Sequence, residues 1–292
     1  MAAWQAGPTL ARHHPGRRRP PLHRAVYNDP MSTLGVVITG AGNGIGRALA
    51  RRMAAEGARV VVNDLDPVAA EAVAAEVGGF AMPGDAASED GVAALVQGAR
   101  ERLGWIDVFF ANAGIDAGGG IDATAEDWQR SIDINVMAHV RAARLLVPTW
   151  LEHGGGRFVV TASAAGLLTM LGSAPYAVSK HAAVAFGEWL SATYGHRGIT
   201  VQLICPQGVR TRMLEEAGAV AEILVRDAAL EPADVAEAVW QAMQDDRFLI
   251  LPHPEVAGYY AVRATDTEKW LRSMRKLQGK LDALEQARAR LA

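Results

Sequence analysis

The chain has a single cysteine, Cys205, among 292 residues. An internal disulfide is therefore excluded, and a reducing, cytoplasmic setting is the expectation. Long apolar runs are also missing, and none approaches the roughly 18–20 residues that a membrane span requires. His, Cys, Asp and Glu are not grouped at the spacing of metal ligands, so no metal is expected. Aromatic residues make up only 6%, and the seven Trp are scattered instead of forming a platform for stacked bases. The net charge of −3 gives no electrostatic argument for nucleic acid. The one charge concentration is at the start. Residues 1–30 carry five Arg and one acid, whereas residues 31–292 carry 24 basic and 31 acidic residues.

What is present is material for a core: 50% of residues are hydrophobic and 21% are charged. Residues 1–30, with His13-His14-Pro15-Gly16-Arg17-Arg18-Arg19-Pro20-Pro21, have no apolar periodicity and read as a disordered basic tail, or as an upstream start ahead of Met31. Residues 31–254 read as one α/β domain, and 255–292 as a helical extension.

The domain opens with Leu34-Gly35-Val36-Val37-Ile38-Thr39, an apolar β-branched run suited to a buried parallel strand. It runs into Gly40-Ala41-Gly42-Asn43-Gly44-Ile45-Gly46 and then a helical stretch over 47–56. Strand, glycine turn and helix form the context of a dinucleotide-binding motif. Gly40 permits the tight turn, Gly44 lets the backbone approach a pyrophosphate, and Gly46 lets the helix pack on the strand. The helix N-terminus offers free N–H groups and a positive dipole end to phosphates. The second strand, Arg59–Asp64, ends in an acid 18 residues after Gly46, where a carboxylate accepts hydrogen bonds from the adenosine ribose. Such a carboxylate repels a 2′-phosphate, so NAD is expected over NADP. Asp66, followed by Pro67, suits the cap of the next helix and leaves Asp64 for the ribose.

Strand and helix then alternate. Strands are expected at 79–82, 106–111, 157–161, 199–204 and 248–251, with helices at 67–77, 88–103, 174–194 and 232–245 and one long helix over 124–152. This predicts a single Rossmann-type doubly wound parallel sheet of about seven strands, with helices on both faces.

Tyr176-Ala177-Val178-Ser179-Lys180 lies in the 174–194 helix, with Ser163 thirteen residues upstream. A Tyr and a Lys four apart share one helix face. The ammonium favours phenolate, so the Tyr pKa is expected to fall from about 10 towards working pH. Thr39-Gly40-x-x-x-Gly44-x-Gly46, Asn112-Ala113-Gly114, Asn135, Ser163 and Tyr176-x-x-x-Lys180, in that order, resemble the short-chain dehydrogenase/reductase family over about residues 33–252.

That resemblance implies a tetrad. Tyr176 would be the general acid/base, and Ser163 would polarise the substrate oxygen. Lys180 would lower the Tyr pKa and bind the nicotinamide ribose, and Asn135 would hold a relay water. It also implies cofactor contacts from Gly40, Asn43, Gly44, Ile45 and Gly46, from Asp64, and from Asp85 at the adenine. Further contacts would come from Asn112, on the adenosine side, Ala113 and Gly114, and from Val209 and Thr211 at the carboxamide. A homodimer or homotetramer through the helices starting near 124 and 174 is implied as well. The Pro206-Gln207-Gly208 sequence departs from the family's usual Pro-Gly, and the chain runs about 38 residues past Pro254. In that extension Trp270, Met274, Leu277, Leu281, Leu284 and Leu291 form the stripe of one amphipathic helix, read as a lid, an interface element or a docked helix.

The function expected is an NAD(H)-dependent oxidoreductase interconverting a secondary alcohol and a ketone. The loops at 115–124, 164–174 and 208–231 would shape its pocket. An apolar wall of Leu167, Leu168, Thr169, Met170 and Leu171 with Met213 and Leu214 points to a hydrophobic substrate, steroid-like, terpenoid or acyl. Two alternatives stand beside it: an NADPH-dependent 3-oxoacyl-type ketoreductase, and an NAD-binding regulatory protein without turnover. His139 and His181 are expected to be packing or surface groups, and Cys205 an inert core thiol.

Overall fold

In the computed structural model, residues 34–217 and 229–291 are described. The reading of 1–30 as a tail, and much of the loop 208–231, lie outside the described residues. Among the described residues, seven strands form one parallel sheet in the order β3-β2-β1-β4-β5-β6-β7. They are β1 (Gly35–Ile38), β2 (Arg59–Val62), β3 (Phe80–Ala81), β4 (Val108–Ala111), β5 (Gly156–Thr161), β6 (Ile199–Ile204) and β7 (Leu249–Ile250). The chain winds outward from β1 to β3, then crosses to β4 on the other side of β1. A crevice opens at this reversal, beyond the strand C-termini.

Side chains alternate between the sheet faces, so successive residues feed two cores. Val37, Val61 and Phe109 pack with α3 (Glu89–Leu103), α5 (Ala138–His153) and α7 (Ala174–Tyr194). Val36, Ile38, Val60 and Phe110 pack with α1 (Gly44–Ala55), α2 (Pro67–Val77) and α9 (Pro232–Asp245). Asp66 caps α2, accepting from Val68 N–H at 2.9 Å and Ala69 N–H at 3.3 Å, with Pro67 in the first turn. At the strand N-termini, opposite the crevice, the Arg157 guanidinium is buried. It donates to Gln202 Oε1 at 2.5 Å and to Asp246 Oδ1 at 2.6 Å, tying β5 to β6 and the end of α9.

Two expectations are corrected. The helix expected over 124–152 is three pieces: α4 (Ala125–Ile132), a π-helical turn at Asp133–Met137, and α5. Asn135 sits in the π turn with all its side-chain groups hydrogen-bonded outside the helix, and such bulges occur mostly where function distorts a helix. The C-terminal extension holds two helices instead of one, α10 (Glu255–Thr265) and α11 (Thr267–Leu291). Asp266 ends the first, and its Oδ1 accepts the Lys269 N–H at 2.9 Å to start the second. The short helices α6 (Ala164–Leu167) and α8 (Arg212–Glu215) complete the described elements that border the crevice.

Candidate active site

The crevice is a cleft of about 860 Å³. One end is built by the glycine turn. Gly40 and Gly44 have φ of 60° and 51°, where a side chain is strained. A Cβ on Gly46 would lie 2.2 Å from the Gly40 carbonyl oxygen, so helix and strand can meet only over glycine. Asn43 precedes α1 without capping it through its side chain, and the first turn holds no acid. The helix therefore brings donors and a positive dipole end to the cleft with no anion of its own, which fits a pyrophosphate. Asn43, Gly44, Ile45 and Gly46 all line it.

Asp64 lines the same end, but it is not free as expected. Its Oδ2 accepts the Gly42 N–H at 2.8 Å and its Oδ1 the Asp66 N–H at 3.1 Å, so the carboxylate also braces the turn. Each oxygen keeps a lone pair for a further donor. Asp85 borders the cleft too, with Oδ1 accepting from Ala87 N–H at 2.7 Å and Oδ2 from Ser88 N–H at 3.2 Å. Burial works to raise its pKa, but these bonds outweigh it and hold the carboxyl low. Asn112 is committed internally: Nδ2 donates to the Thr39 and Gly40 carbonyls at 2.9 and 3.1 Å, and Oδ1 accepts from Thr161 Oγ1 at 2.9 Å. It locks β1, β4 and β5 together, which leaves its amide no donor to offer a ligand. Val209 and Thr211 line the cleft on a segment held by the pairing of Val209 with Leu230. The departure at Gln207 is anchored by its N–H donating to His253 Nδ1 at 3.1 Å.

At the middle of the cleft stand Ser163, Tyr176 and Lys180, all buried and all lining it. Ser163 starts α6, its Oγ accepting the Ala165 N–H at 3.1 Å. Tyr176 and Lys180 share a face of α7. The Lys180 Nζ donates to the Thr161 carbonyl at 2.9 Å and stands 5.6 Å from the Tyr176 ring centre. A Cβ on Gly114 would lie 3.1 Å from both Lys180 Nζ and Asn135 Oδ1, so glycine keeps room between them. The Asn135 side chain bonds Ile115 through Oδ1 and Nδ2 and Ser179 through Nδ2.

The expected fall in the Tyr176 pKa is also corrected. Burial pushes the phenol up to about 12, against a lowering contact from Ser163, and Asp116 adds to the rise. Burial likewise pushes Lys180 down to about 8. Dehydration of both groups prevails because the ammonium is turned to a backbone carbonyl. His139 is buried with Nε2 lacking a hydrogen-bond partner among the described residues, and burial with the Lys180 charge lowers it to about 3. Cys205, pushed up to about 12 by burial, has the character of an inert thiol.

The far end of the cleft is mostly apolar, with Ser273, Lys276 and Lys280 of α11 also on its lining. Leu168, Met170, Leu171, Met213 and Leu214 line it, whereas Leu167 belongs to the core. Residues that the sequence reading did not assign to the cleft complete this end: Tyr259 and Val262 of α10, and Trp270, Met274 and Leu277 of α11. The stripe in α11 was the available signal, but nothing in the sequence said which cleft it would meet.

The short chain dehydrogenase family model matches residues 35–221. This chain belongs to that family. As a short-chain dehydrogenase it is an oxidoreductase acting on CH–OH groups, with a nicotinamide cofactor. It is 35% identical over 234 residues to 1-deoxy-11-beta-hydroxypentalenate dehydrogenase of Streptomyces exfoliatus, covering 77% of this chain and 85% of the relative. It is 37% identical over 202 residues to 2,5-dichloro-2,5-cyclohexadiene-1,4-diol dehydrogenase of Sphingobium indicum, covering 68% and 78%. The structure of a short-chain dehydrogenase/reductase from Burkholderia phymatum in complex with NAD superposes with a TM-score of 0.75 at 30% identity, covering 81% of this chain and 95% of that one. The enzyme interconverts alcohols and ketones. Among its described residues no helix is long and apolar enough to cross a membrane.

Proposed function

We propose that this enzyme is an NAD-dependent dehydrogenase for a secondary alcohol carried on a hydrophobic ring system. The observation that carries the reading is the convergence of Ser163, Tyr176 and Lys180 in one cleft, between an uncapped glycine-turn helix and an apolar wall. Ser163 Oγ holds the substrate oxygen, and Tyr176 moves the proton to or from it. The Lys180 ammonium lies beside the phenol and supplies charge to a proton path. Asn135 fixes Ile115 and Ser179 around them.

Gly44, Ile45 and Gly46 would hold the pyrophosphate, Asp64 the adenosine ribose, and Val209 with Thr211 the carboxamide end. A nicotinamide dinucleotide bound there would supply the hydride carrier and, when oxidised, a positive charge. With Tyr176 pushed up to about 12, the protein alone keeps it a proton donor, and an adjacent cation is what favours phenolate. Proton transfer from a positioned group contributes about 10²–10⁴ in rate.

Preference for NAD rests on Asp64, which meets a 2′-phosphate with like charge, and on the lack of Lys or Arg among its lining neighbours Asn63, Leu65, Gly84, Asp85, Ala86 and Ala87. The ring preference rests on the cyclohexadiene-diol relative and on the mostly apolar far end of the cleft. Exposed Leu145, Val178 and Trp189 on α5 and α7 support assembly as a homodimer or homotetramer through those helices. A lone, buried Cys205 supports a cytoplasmic setting.

Tyr176→Phe tests the chemistry. Turnover of a cyclic secondary alcohol, followed as absorbance at 340 nm, is expected to fall at least about 10²-fold. The dissociation constant for NADH, read by fluorescence, should stay within about twofold. Undiminished turnover would remove Tyr176 from the mechanism.

A further inference from the structure

The outer wall of the apolar end is made by α10 and α11, and one side chain, Arg263, ties both to the helices that carry the reacting groups. Val262, Trp270, Met274 and Leu277 face the cleft from these helices. The base of α10 is buried in the core through Val256. Its other end carries Arg263, whose guanidinium Nη1 donates to the Leu167 carbonyl and to His181 Nε2, the latter at 2.9 Å. The guanidinium carbon also lies 5.3 Å from the Trp270 ring centre, within cation–π range.

His181 is prepared for this contact. Its Nδ1 is 2.8 Å from the Ala177 carbonyl, which can only accept, so the ring proton is on Nδ1 and Nε2 offers a lone pair. Arg263 therefore joins four segments: α10, the start of α11 through Trp270, the end of α6, and α7. Its anchor points stand beside the reacting groups, since Leu167 follows Ser163 by four residues and His181 follows Lys180 directly.

We propose that Arg263 is a specificity-determining positioning residue. It sets the distance from Tyr176 to the Trp270–Met274 wall, and so selects alcohols long enough to span from one to the other. The idea rests on the reading of Tyr176 as the proton-transfer group. A small alcohol needs only the centre of the cleft. A long one draws binding energy from the wall, and loses it if the wall drifts. The effect belongs in KM, because contacts remote from the reacting bond serve ground state and transition state alike.

The test compares cyclohexanol with 4-cyclohexylcyclohexanol, using full-length enzyme at saturating NAD. Wild type is expected to favour the longer alcohol at least tenfold in kcat/KM. Arg263→Ala should erase that ratio through KM of the longer alcohol, with kcat within twofold and cyclohexanol unaffected. Arg263→Lys, which keeps one donor, should restore part of it. Trp270→Ala removes the wall without touching the Arg263 hydrogen bonds, and should give the same loss, with the double variant no worse. Absence of any length preference in wild type would overturn the proposal. So would an unchanged ratio in Arg263→Ala, or an equal fall for both alcohols accompanied by a lowered melting temperature. Failure of wild type to oxidise either alcohol would instead count against the proposed function, so the two ideas fail separately.

Discussion

The side-chain amide of Asn135 pairs with both backbone groups of Ile115, its Oδ1 accepting the Ile115 N–H at 2.9 Å and its Nδ2 donating to the Ile115 carbonyl at 2.9 Å. The second Nδ2 proton goes to Ser179 Oγ, also at 2.9 Å, one residue before Lys180. A buried amide thus joins the segment after β4 to the helix that carries Tyr176. Asn135→Ala leaves a backbone N–H and a carbonyl without partners, at about 1–3 kcal/mol for each group that finds no water. The expected outcome is a lower urea midpoint together with a kcat reduced at least tenfold. Wild-type kcat in a destabilised variant would reduce Asn135 to a scaffold role.

The buried Lys180 gives stability a distinctive pH dependence. Its folded pKa of about 8 lies below the ordinary 10.5, so between those values the folded state binds fewer protons than the unfolded state. Stability contributed through Lys180 therefore rises with pH across that window. Tyr176, ordinarily near 10 and pushed up to about 12, acts in the opposite sense between those values, as Cys205 does between its ordinary 9.0 and about 12. Lys180→Met removes the Lys180 contribution together with the lowering that its charge exerts on Cys205. Between pH 8 and 10 the wild type should gain, relative to that variant, on the order of 2 kcal/mol in urea unfolding. Parallel profiles would mean that Lys180 titrates normally.

Asp64 has two tasks that one substitution can separate. Asp64→Ser removes the charge that opposes a 2′-phosphate and weakens the bracing of Gly42 and Asp66. The ratio of kcat/KM for NAD over NADP should fall at least about tenfold, which corresponds to 1.4 kcal/mol. The melting temperature should fall as well. Preference for NADPH in the wild type would refute the role given to this carboxylate.

Stability and activity should part at the strand N-termini, opposite the cleft. Asp246→Asn keeps a residue that tolerates its positive φ of 56° but leaves the buried Arg157 cation without a countercharge. A loss of about 1–3 kcal/mol is expected, with kcat unchanged, because Arg157 begins the strand whose other end reaches the cleft.

The sheet was legible because its strands are short apolar runs bounded by turn residues, β-branched in β1, β2, β5 and β6, and the glycine turn announced both its conformation and its ligand class. The same residues concealed their second tasks. Nothing local distinguishes an Asp64 that waits for a ribose from one already bonded to Gly42, or an Asn112 that meets a cofactor from one that locks three strands. The Tyr176 pKa was misjudged because helical spacing reports the proximity of Lys180 but not the dehydration of both groups. The break at Asp266 was written as a capping residue between two apolar stretches, yet the α11 stripe drew the eye past it. Arg263 had no signal of its own, since its partners are 82 and 96 residues away.

The π turn at Asp133–Met137 acts as a phase adjuster between two helices that answer to different neighbours. An α-helix advances about 100° per residue. Winding the same five residues as a regular α-helix would swing everything after the turn by about that angle. Ala142, Leu146 and Trp150, which face the core, would then point along its flank. The extra residue allows Asn135 to reach Ile115 and Ser179 while the same continuous rod keeps its next turns on the sheet. Its wider winding is what keeps α5 in phase with the sheet.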